Sequence, residues 1–330
     1  MRNVKDLYMS LIFFAVVVMN GISAESTKDY KVLIGMDHEK VMQLKEIKTL
    51  VIDAEFFSQE DIAQLHKNGN VHIFSYLNIG SIETFRDDYA AFADIALGHY
   101  ENWDEEQWVN VADKRWQKRI KHKAQLLSQK DIDGFFLDNT DIYYHYHTPE
   151  IYQGLTALLR EIHTENKPII INGGDTFITE AMQQNSIKGI VNGVNQESVF
   201  TEIHFKNNTF GAKPIEDRAY FMEYLAQCKT YGLTVYLLEY GATKKLTKEI
   251  KTYSKCHSEA VILMYDEEKD EVFSYSDKAE DNLFVAIANI RHYYTRNYDT
   301  LDGFKFIEIK KASYDFWDDL KKFDCNLKEL

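Results

Sequence analysis

The chain is poor in the residues that interrupt or cross-link a fold. It has 3 prolines and 15 glycines in 330 residues, which argues against a disordered or linker-rich protein. Its cysteines, Cys228, Cys256 and Cys325, are too few and too scattered for a disulfide framework, and both one bridge and unpaired thiols stay open. With 45% hydrophobic residues, the chain has ample material for one large α/β domain or two smaller ones.

Positive charge is also scarce. The formal net charge of −14 argues against nucleic acid or an anionic membrane surface as a partner. A cationic or neutral ligand fits this balance better, although a surplus of acids also serves solubility alone.

Several common catalytic motifs are missing from the sequence. It has no G-x-S-x-G elbow, no P-loop, no G-x-G-x-x-G after a strand and no H-E-x-x-H. His145 and His147 lie close together, but no matching ligand motif accompanies them. We therefore expect neither a metal nor another cofactor.

The N-terminus has the pattern of a secretory signal. Arg2 and Lys5 precede the apolar stretch 7–22, and Ala24 offers a small residue for cleavage. We expect residues 1–24 to be removed, so that residues 25–330 form a secreted protein with a net charge of −15, because Arg2, Lys5 and Asp6 leave together. Such a protein is extracellular or associated with the cell surface, without stable membrane insertion. We also expect a monomer.

Short β-rich runs alternate with helical periodicity through most of the chain. Residues at helical spacing include Trp116, Ile120, Ala124 and Leu127, and further on Ile151, Leu155, Leu158, Leu159 and Ile162. The predicted strands are Lys31–Gly35, Thr49–Asp53, Val71–Leu77, Ile132–Asp138, Pro168–Asn172, Gly189–Val194, Thr234–Glu239 and Ala260–Tyr265. Eight such units without a linker favour an α/β fold with a single (β/α)₈ TIM barrel over about residues 30–298, and a doubly wound open sheet is the main competitor.

Two segments fall outside the eight units. The stretch Asn102–Asp113 contains Trp103, Trp108 and an extra strand-like run, which predicts a decorated loop near 100–113 between the third and fourth units. Residues from about 299 to 330 form a predicted C-terminal extension. Its apolar face would consist of Tyr314, Phe316, Trp317 and Leu320.

Most of the predicted strands end on an acid or an amide. The most apolar strand ends at Asp138-Asn139, with Asp141 three residues further on. The other strand ends carry Asp53, Asn78, Asn172, Glu197, Glu239 and Asp266. In a barrel these ends converge on one face, which predicts an acidic pocket with amide donors.

Crowded carboxylates suggest a division of chemical roles. Ionising all of them would place like charges close together, so one carboxyl group should have a raised pKa and act as an acid. Another carboxylate then serves as nucleophile or base. Hydrolysis of a glycosidic bond requires this pairing. Aromatic rings that can stack on sugars flank the acids at Tyr76, Tyr143, Tyr144, Tyr146 and Tyr240. The alternative for Asp53 and Asp175 is a helix N-cap.

The segment Gly134-Phe135-Phe136-Leu137-Asp138-Asn139-Thr140-Asp141-Ile142-Tyr143 resembles the Gly-x-x-Leu-Asp-x-x-Asp-x-Tyr signature of family 114 glycoside hydrolases, the endo-α-1,4-polygalactosaminidases. Other segments are similar in order and spacing. They are Val51-Ile52-Asp53, Tyr76-Leu77-Asn78-Ile79-Gly80 and Gly193-Val194-Asn195-Gln196-Glu197. The resemblance covers roughly residues 30–270.

This resemblance implies a (β/α)₈ barrel that hydrolyses galactosamine-rich, partly deacetylated polysaccharide. The family's catalytic acids would fall on Asp138 and Glu197, with Asp138 cast as nucleophile and Glu197 as general acid/base. The substrate-binding set would be Asp53, Tyr76, Asn78, Asn139, Asp141, Tyr143, Asn172, Glu239 and Tyr240, of which Asn139 and Asp141 act as positioning groups. A polymer with free amines is cationic and would be attracted by the acidic protein.

The chain also departs from the family pattern. A second acid, Glu55, follows Asp53, and Asn172-Gly173-Gly174 replaces an amide-rich run. Two other functions therefore stay open: a catalytically silent barrel that binds glycan, and a glycosidase for a different extracellular polymer. A separation of the two carboxylates above about 10 Å favours binding over hydrolysis, and a shorter one distinguishes retaining from inverting hydrolysis. A salt titration of binding to deacetylated and fully acetylated substrate separates the two hydrolases.

Overall fold

The computed structural model describes residues 28–34, 38–100, 103–204, 209–256, 261–266, 271–276 and 284–285. The predicted signal peptide and C-terminal extension, together with Cys325, lie outside the described residues. Within these ranges, Cys228 is a buried free thiol. No helix in the same part of the chain is long and apolar enough to cross a bilayer.

A single ten-stranded sheet forms the centre of the fold. Eight parallel strands follow each other in chain order: β1 (Lys28–Leu33), β2 (Ile47–Ile52), β3 (His72–Asn78), β4 (Gly134–Asp138), β5 (Ile169–Asn172), β6 (Gly193–Glu197), β7 (Thr234–Tyr240) and β8 (Val261–Asp266). The strands Glu271–Ser276 and Phe284–Val285 then add antiparallel. Parallel strands with helical crossovers put all the carboxyl ends of the strands at one edge.

The sheet curls until its two ends approach each other. The Cα atoms of β1 come within 8 Å of β8 and of the strand Glu271–Ser276. The hydroxyl of Tyr30 in β1 donates to Asn195 in β6 at 2.9 Å, so side chains meet across the interior. The prediction of a parallel, curled α/β fold of the TIM-barrel type is confirmed, and closure into a full eight-fold barrel stays a prediction.

Helices connect the parallel strands. They span His38–Val41, Gln59–Lys67, Lys114–Ser128, Ile142–His145, Pro149–His163, Asp175–Gln183, Ile215–Tyr231 and Lys244–Cys256. The apolar positions predicted for the helices Lys114–Ser128 and Pro149–His163 are all buried, which confirms their periodicity. Side-chain caps at Asp113 and Thr148 satisfy backbone donors where these two helices begin.

The strand β6 begins later than the sequence predicts. The sequence predicts a strand over Gly189–Val194, whereas the strand spans Gly193–Glu197. Gly189 has a φ of +75°, and the amide of Val191 donates to the carbonyl of Ile187, so this stretch turns instead of extending. As a result, Glu197 is the last residue of β6, where its backbone pairs with Leu238 of β7.

The predicted decorated loop is a small antiparallel sheet between β3 and β4. Its strands are Ser81–Glu83, Ala96–Tyr100 and Trp103–Val109. Gly80 lets it approach the end of β4, because a Cβ there would lie 1.9 Å from the carbonyl oxygen of Asn139. The insertion therefore brings its own side chains to the carboxyl edge of the parallel sheet.

Candidate active site

Asp138 and Glu197 lie on either side of one amide. Asp138 ends β4, Glu197 ends β6, and Asn172 ends β5 between them. The Nδ2 atom of Asn172 donates to Asp138 Oδ1 and to Glu197 Oε1, each at 2.9 Å. The two accepting oxygens are therefore at most about 5.8 Å apart, twice this length, and about 5 Å apart if each hydrogen serves one carboxylate.

A chain of hydrogen bonds fixes which way the Asn172 amide faces. Tyr30 donates to Asn195 Oδ1 at 2.9 Å, and Asn195 Nδ2 donates to Asn172 Oδ1 at 2.6 Å. With its oxygen occupied, Asn172 must present its NH₂ group to the carboxylates. Tyr30 and Asn195 are fully buried, and sequence reasoning did not include them in the site.

Asp138 is buried among neutral donors. Besides Asn172, the backbone amide of Asn139 donates to its Oδ1 at 3.0 Å, and the side chain of Tyr76 is hydrogen-bonded to the carboxylate. Asn139 adopts a φ of +68°, in the left-handed region. Burial, with the charge of Glu197, raises the pKa of Asp138 to about 6, against the opposing effect of the hydrogen bonds.

Glu197 is half-buried and has its own positioning groups. The hydroxyl of Tyr240 donates to Oε2 at 2.6 Å, and the ring of Phe210 lies parallel to the Tyr240 ring with centroids 6.3 Å apart. Tyr240 is itself 1% exposed, so it reaches Glu197 from the core side.

Glu239 differs from the other predicted substrate-binding residues. Its side chain is fully buried, and its carboxylate accepts the backbone amides of Val199, Phe200 and Thr201 at 2.9 to 3.2 Å, with the Thr201 hydroxyl at 2.6 Å. Each oxygen is thus engaged by the loop that follows Glu197. Glu239 therefore anchors the loop after Glu197 from inside the fold, and its place in the substrate-binding set stays a prediction.

Asp141 lies beside Asp138 against a glycine turn. The amide of Gly174 donates to Asp141 Oδ1 at 3.0 Å, and burial raises the pKa of Asp141 to about 7, with the charge of Asp138 adding to the effect. Gly173 and Gly174 both have positive φ, and a Cβ on Gly173 would lie 2.7 Å from Asp141 Oδ2. A Cβ on Gly174 would likewise lie 1.9 Å from Thr140 Oγ1, so the absence of side chains at both glycines permits this contact.

A half-buried glutamate of the insertion belongs to the same edge of the sheet. Glu106 Oε1 accepts from Asn78 Nδ2 at 3.0 Å, from Asn139 Nδ2 at 3.1 Å and from the hydroxyl of Ser81. Burial raises the pKa of Glu106 to about 7, and the charge of Asp138 contributes. Asn78 and Asn139 thus hold the insertion against the end of β4.

The insertion also supplies aromatic rings. Tyr100 stacks on Trp108 with ring centroids 4.3 Å apart. Burial raises the pKa of the Tyr100 hydroxyl well above its ordinary value, and the charges of Asp138 and Asp141 add to the effect. Sequence reasoning missed Tyr100 and Glu106, because they lie outside the ends of the parallel strands; only the strand-like pattern of the insertion pointed to them.

The remaining predicted residues divide between two places. Asp53 accepts from the amide of Glu55 at 3.1 Å as the cap of a short 3₁₀ helix, yet it also lines a cavity with Tyr76 and Asn78. Tyr143 is buried, and its hydroxyl donates to Glu180 at 2.5 Å rather than toward the carboxylate pair.

Within the described ranges, no cluster of three or more His, Cys, Asp or Glu side chains has metal-binding geometry.

The sequence model of glycoside hydrolase family GH114 matches residues 20–281 of the chain. No curated protein sequence matches it.

Two solved structures have a similar fold. The glycoside hydrolase domain of PelA from Pseudomonas aeruginosa superposes with a TM-score of 0.56 at 17% identity, covering 72% of this chain and 94% of that one. Ega3 from Aspergillus fumigatus, solved in complex with galactosamine, gives a TM-score of 0.54 at 15% identity, covering 74% of this chain and 95% of that one. At such low identity these likenesses show the fold alone.

Proposed function

The chain belongs to glycoside hydrolase family GH114, and we propose that it hydrolyses a galactosamine-rich, partly deacetylated polysaccharide with Asp138 and Glu197. The observation that carries the proposal is the single amide nitrogen of Asn172 shared by both carboxylates. The complex of Ega3 with galactosamine supports an amino sugar as the substrate unit.

The spacing of the two carboxylates suits a double displacement. Carboxyl groups about 5–5.5 Å apart are typical of retaining glycosidases, and those about 6.5–9.5 Å apart of inverting ones. The oxygens held by Asn172 are at most about 5.8 Å apart, which is below the inverting range and supports the retaining one. In the first step Asp138 attacks the anomeric carbon and Glu197 protonates the departing glycosidic oxygen. In the second, Glu197 takes a proton from water, whose oxygen displaces Asp138.

The surroundings of the two acids agree with these roles. With a pKa of about 6, Asp138 is mostly ionised at pH 7 and can act as the nucleophile. Asn172, Asn139 and Tyr76 direct neutral donors at it, which orients the carboxylate without neutralising it. Glu197 is more exposed and bonded by Tyr240, so it can meet both the leaving oxygen and water.

The charge of the site favours a cationic sugar. Asp138, Glu197, Asp141 and Glu106 gather at one edge, and the chain has a formal net charge of −14. A protonated amine on the substrate would be attracted to this edge, and the attraction would weaken as salt is added. A polymeric substrate also agrees with the secretion that the N-terminal sequence predicts.

The spacing also bears on the alternative of a silent glycan-binding barrel. Carboxylates more than about 10 Å apart would favour that function. At such a distance one carboxylate could not attack the anomeric carbon while the other protonates the leaving oxygen of the same bond. The short separation supports hydrolysis instead.

Release of reducing ends from α-1,4-linked galactosamine polymer by the purified full chain tests the proposal. Asp138→Asn and Glu197→Gln should each lower the rate by roughly 10³-fold or more, because each removes one half of the acid–base and nucleophile pair. Glu202→Gln is the matched control, since this glutamate is half-exposed near His204. Unchanged release by either active-site variant, with melting temperatures equal to wild type, would contradict the proposal.

A further inference from the structure

The antiparallel insertion between β3 and β4 turns one of its faces toward the end of β4. Glu106 and Trp108 lie on that face, because alternate residues of a strand point the same way. Glu106 accepts from Asn139, the residue that follows Asp138, at 3.1 Å. The ring of Trp108 lies 4.9 Å from the ring of His145, between centroids. This face of the insertion therefore lies against the residues that follow Asp138.

Tyr100 belongs to the same face of the insertion. Its ring stacks on Trp108 with centroids 4.3 Å apart and an angle of 20° between the ring planes. Trp108 is buried, so the stack holds the phenol against a well-packed partner. A Cβ on Gly98 would lie 2.6 Å from the hydroxyl oxygen of Tyr146, so the strand Ala96–Tyr100 also packs closely on the segment after β4. These contacts fix the direction in which the hydroxyl of Tyr100 points.

That hydroxyl lies within the electric field of both catalytic acids. The carboxylates whose charges act on it are Asp138, Asp141, Glu106 and Glu197. Burial and these four charges raise the pKa of the Tyr100 hydroxyl well above its ordinary value. The hydroxyl therefore stays protonated and neutral at neutral and acidic pH, and it is a permanent donor among groups that accept.

Other donors close to the pair are already engaged. The Nδ2 atom of Asn172 donates to Asp138 and Glu197, and the hydroxyl of Tyr240 donates to Glu197. Among the residues that the structure describes, none is hydrogen-bonded to the hydroxyl of Tyr100. Ionised carboxylates only accept hydrogen bonds, whereas a sugar also presents oxygens that need donors. The hydroxyl of Tyr100 can supply such a donor.

We propose that Tyr100 is a substrate-binding residue of the active site, whose hydroxyl donates a hydrogen bond to an oxygen of the sugar unit held between Asp138 and Glu197. The inference rests on the proposed function and adds to it a residue from the insertion. Tyr100 is half-buried, so a ligand can reach its side chain. A neutral donor orients the sugar and leaves the negative charge of the carboxylates to attract its amine.

Tyr100→Phe in the full chain tests this role, because it removes the hydroxyl and keeps the ring on Trp108. Tyr89→Phe is the matched control. Tyr89 lies in the same insertion, and its hydroxyl donates to Gln107 at 2.8 Å. Gln107 alternates with Glu106 along the strand and so points to the opposite face. Two readouts are measured: release of reducing ends from galactosamine polymer, and binding of galactosamine by saturation-transfer NMR.

We expect Tyr100→Phe to lower kcat/KM and the affinity for galactosamine by roughly 3- to 10-fold, the effect of one hydrogen bond. The melting temperature should stay at the wild-type value, since the hydroxyl has no partner among the described residues. The acidic limb of kcat/KM should stay near pH 6, because the groups bonded to Asp138 are Asn172, Asn139 and Tyr76. Tyr89→Phe should leave kcat/KM and galactosamine binding unchanged.

A wild-type kcat/KM in Tyr100→Phe would overturn the inference. So would an acidic limb that moves, because the hydroxyl would then act on Asp138 and not on the substrate. If the wild-type chain releases no reducing ends, the proposed function fails, and galactosamine binding decides on Tyr100 by itself. Equal binding by the variant and wild type, or binding by neither, then overturns the inference.

Discussion

Asp138 and Glu197 accept hydrogen bonds from the same nitrogen atom, Nδ2 of Asn172, each at 2.9 Å. One donor thus sets the spacing of two acids that come from strands separated by a third. The relay from Tyr30 through Asn195 fixes the orientation of that donor. The pair is therefore held in place by side chains at the ends of three strands of the sheet and by the buried relay behind them.

Loss of the shared amide should raise the pKa of Asp138. Asn172→Ala removes one of the hydrogen bonds that hold this pKa down, while burial and the charge of Glu197 remain. We expect kcat to fall by roughly 10- to 100-fold and the acidic limb of the kcat/KM profile to move above pH 6. A variant with lower activity but an unmoved limb would show that Asn172 acts only through packing.

The relay predicts an effect at a distance. Tyr30→Phe removes the donor to Asn195 and should lower kcat several-fold, with a loss of about 1 kcal/mol in the free energy of unfolding. Tyr236→Phe is the matched control, because its ring lies 4.8 Å from that of Tyr30 and its hydroxyl is outside the relay. Equal kcat values for the two variants would exclude the relay from positioning Asn172.

Activity should fall on the acid side of neutrality. Asp138 must be ionised to attack, and its pKa is raised to about 6, so kcat/KM should halve near pH 6 and fall about tenfold for each further unit. An acidic limb below pH 5 would mean that a different group, or an unperturbed carboxyl, controls the attack.

Folding stability should increase as the pH falls from 8 toward 5. Burial raises the pKa values of Asp141 and Glu106 to about 7, above their ordinary values of 3.8 and 4.5. Between those limits the folded state binds more protons than the unfolded state, so stability gains up to about 1.4 kcal/mol per pH unit for one such group. The gain levels off below the ordinary values.

Melting temperatures at pH 5.5, 6.5 and 8 measure this dependence. Asp141→Asn should reduce the slope because it removes one of the titrating groups. Asp94→Asn, at an exposed ion pair with Arg115, should leave it unchanged. A melting temperature that rises from pH 5.5 to 8 would contradict the account.

Glu239→Gln should lower the stability of the fold. In Glu239→Gln an NH₂ group replaces an oxygen that accepts backbone amides, so two donors face each other inside the protein. We expect a loss of about 2–4 kcal/mol in the free energy of unfolding, and lower kcat because residues 199–201 follow Glu197. Urea denaturation measures the first effect. Unchanged stability and activity together would rule out the anchoring role.

Sequence patterns predicted the repeated units of the fold well. Apolar runs bounded by polar residues located all eight parallel strands, since a strand buried on both faces is almost continuously hydrophobic. The error at β6 came from Gly189, where apolar neighbours concealed a turn that needs positive φ. The hydrophobicity of neighbouring residues does not determine that backbone angle.

The site was predictable where it coincides with strand ends. Asp138, Asn172 and Glu197 meet because the carboxyl ends of parallel strands share one edge. Glu106 and Tyr100 come from the antiparallel insertion, whose packing depends on contacts such as Gly80 against Asn139. Such contacts are long-range, so no period in the sequence reveals them.

The configuration of the first product tests the central claim most directly. The purified full chain is mixed with α-1,4-linked galactosamine oligomer, and proton NMR follows the anomeric signals before mutarotation. Two carboxylate oxygens held at most about 5.8 Å apart predict the α anomer first, by net retention. The β anomer appearing first would require an inverting pair with room for water, and would contradict the account.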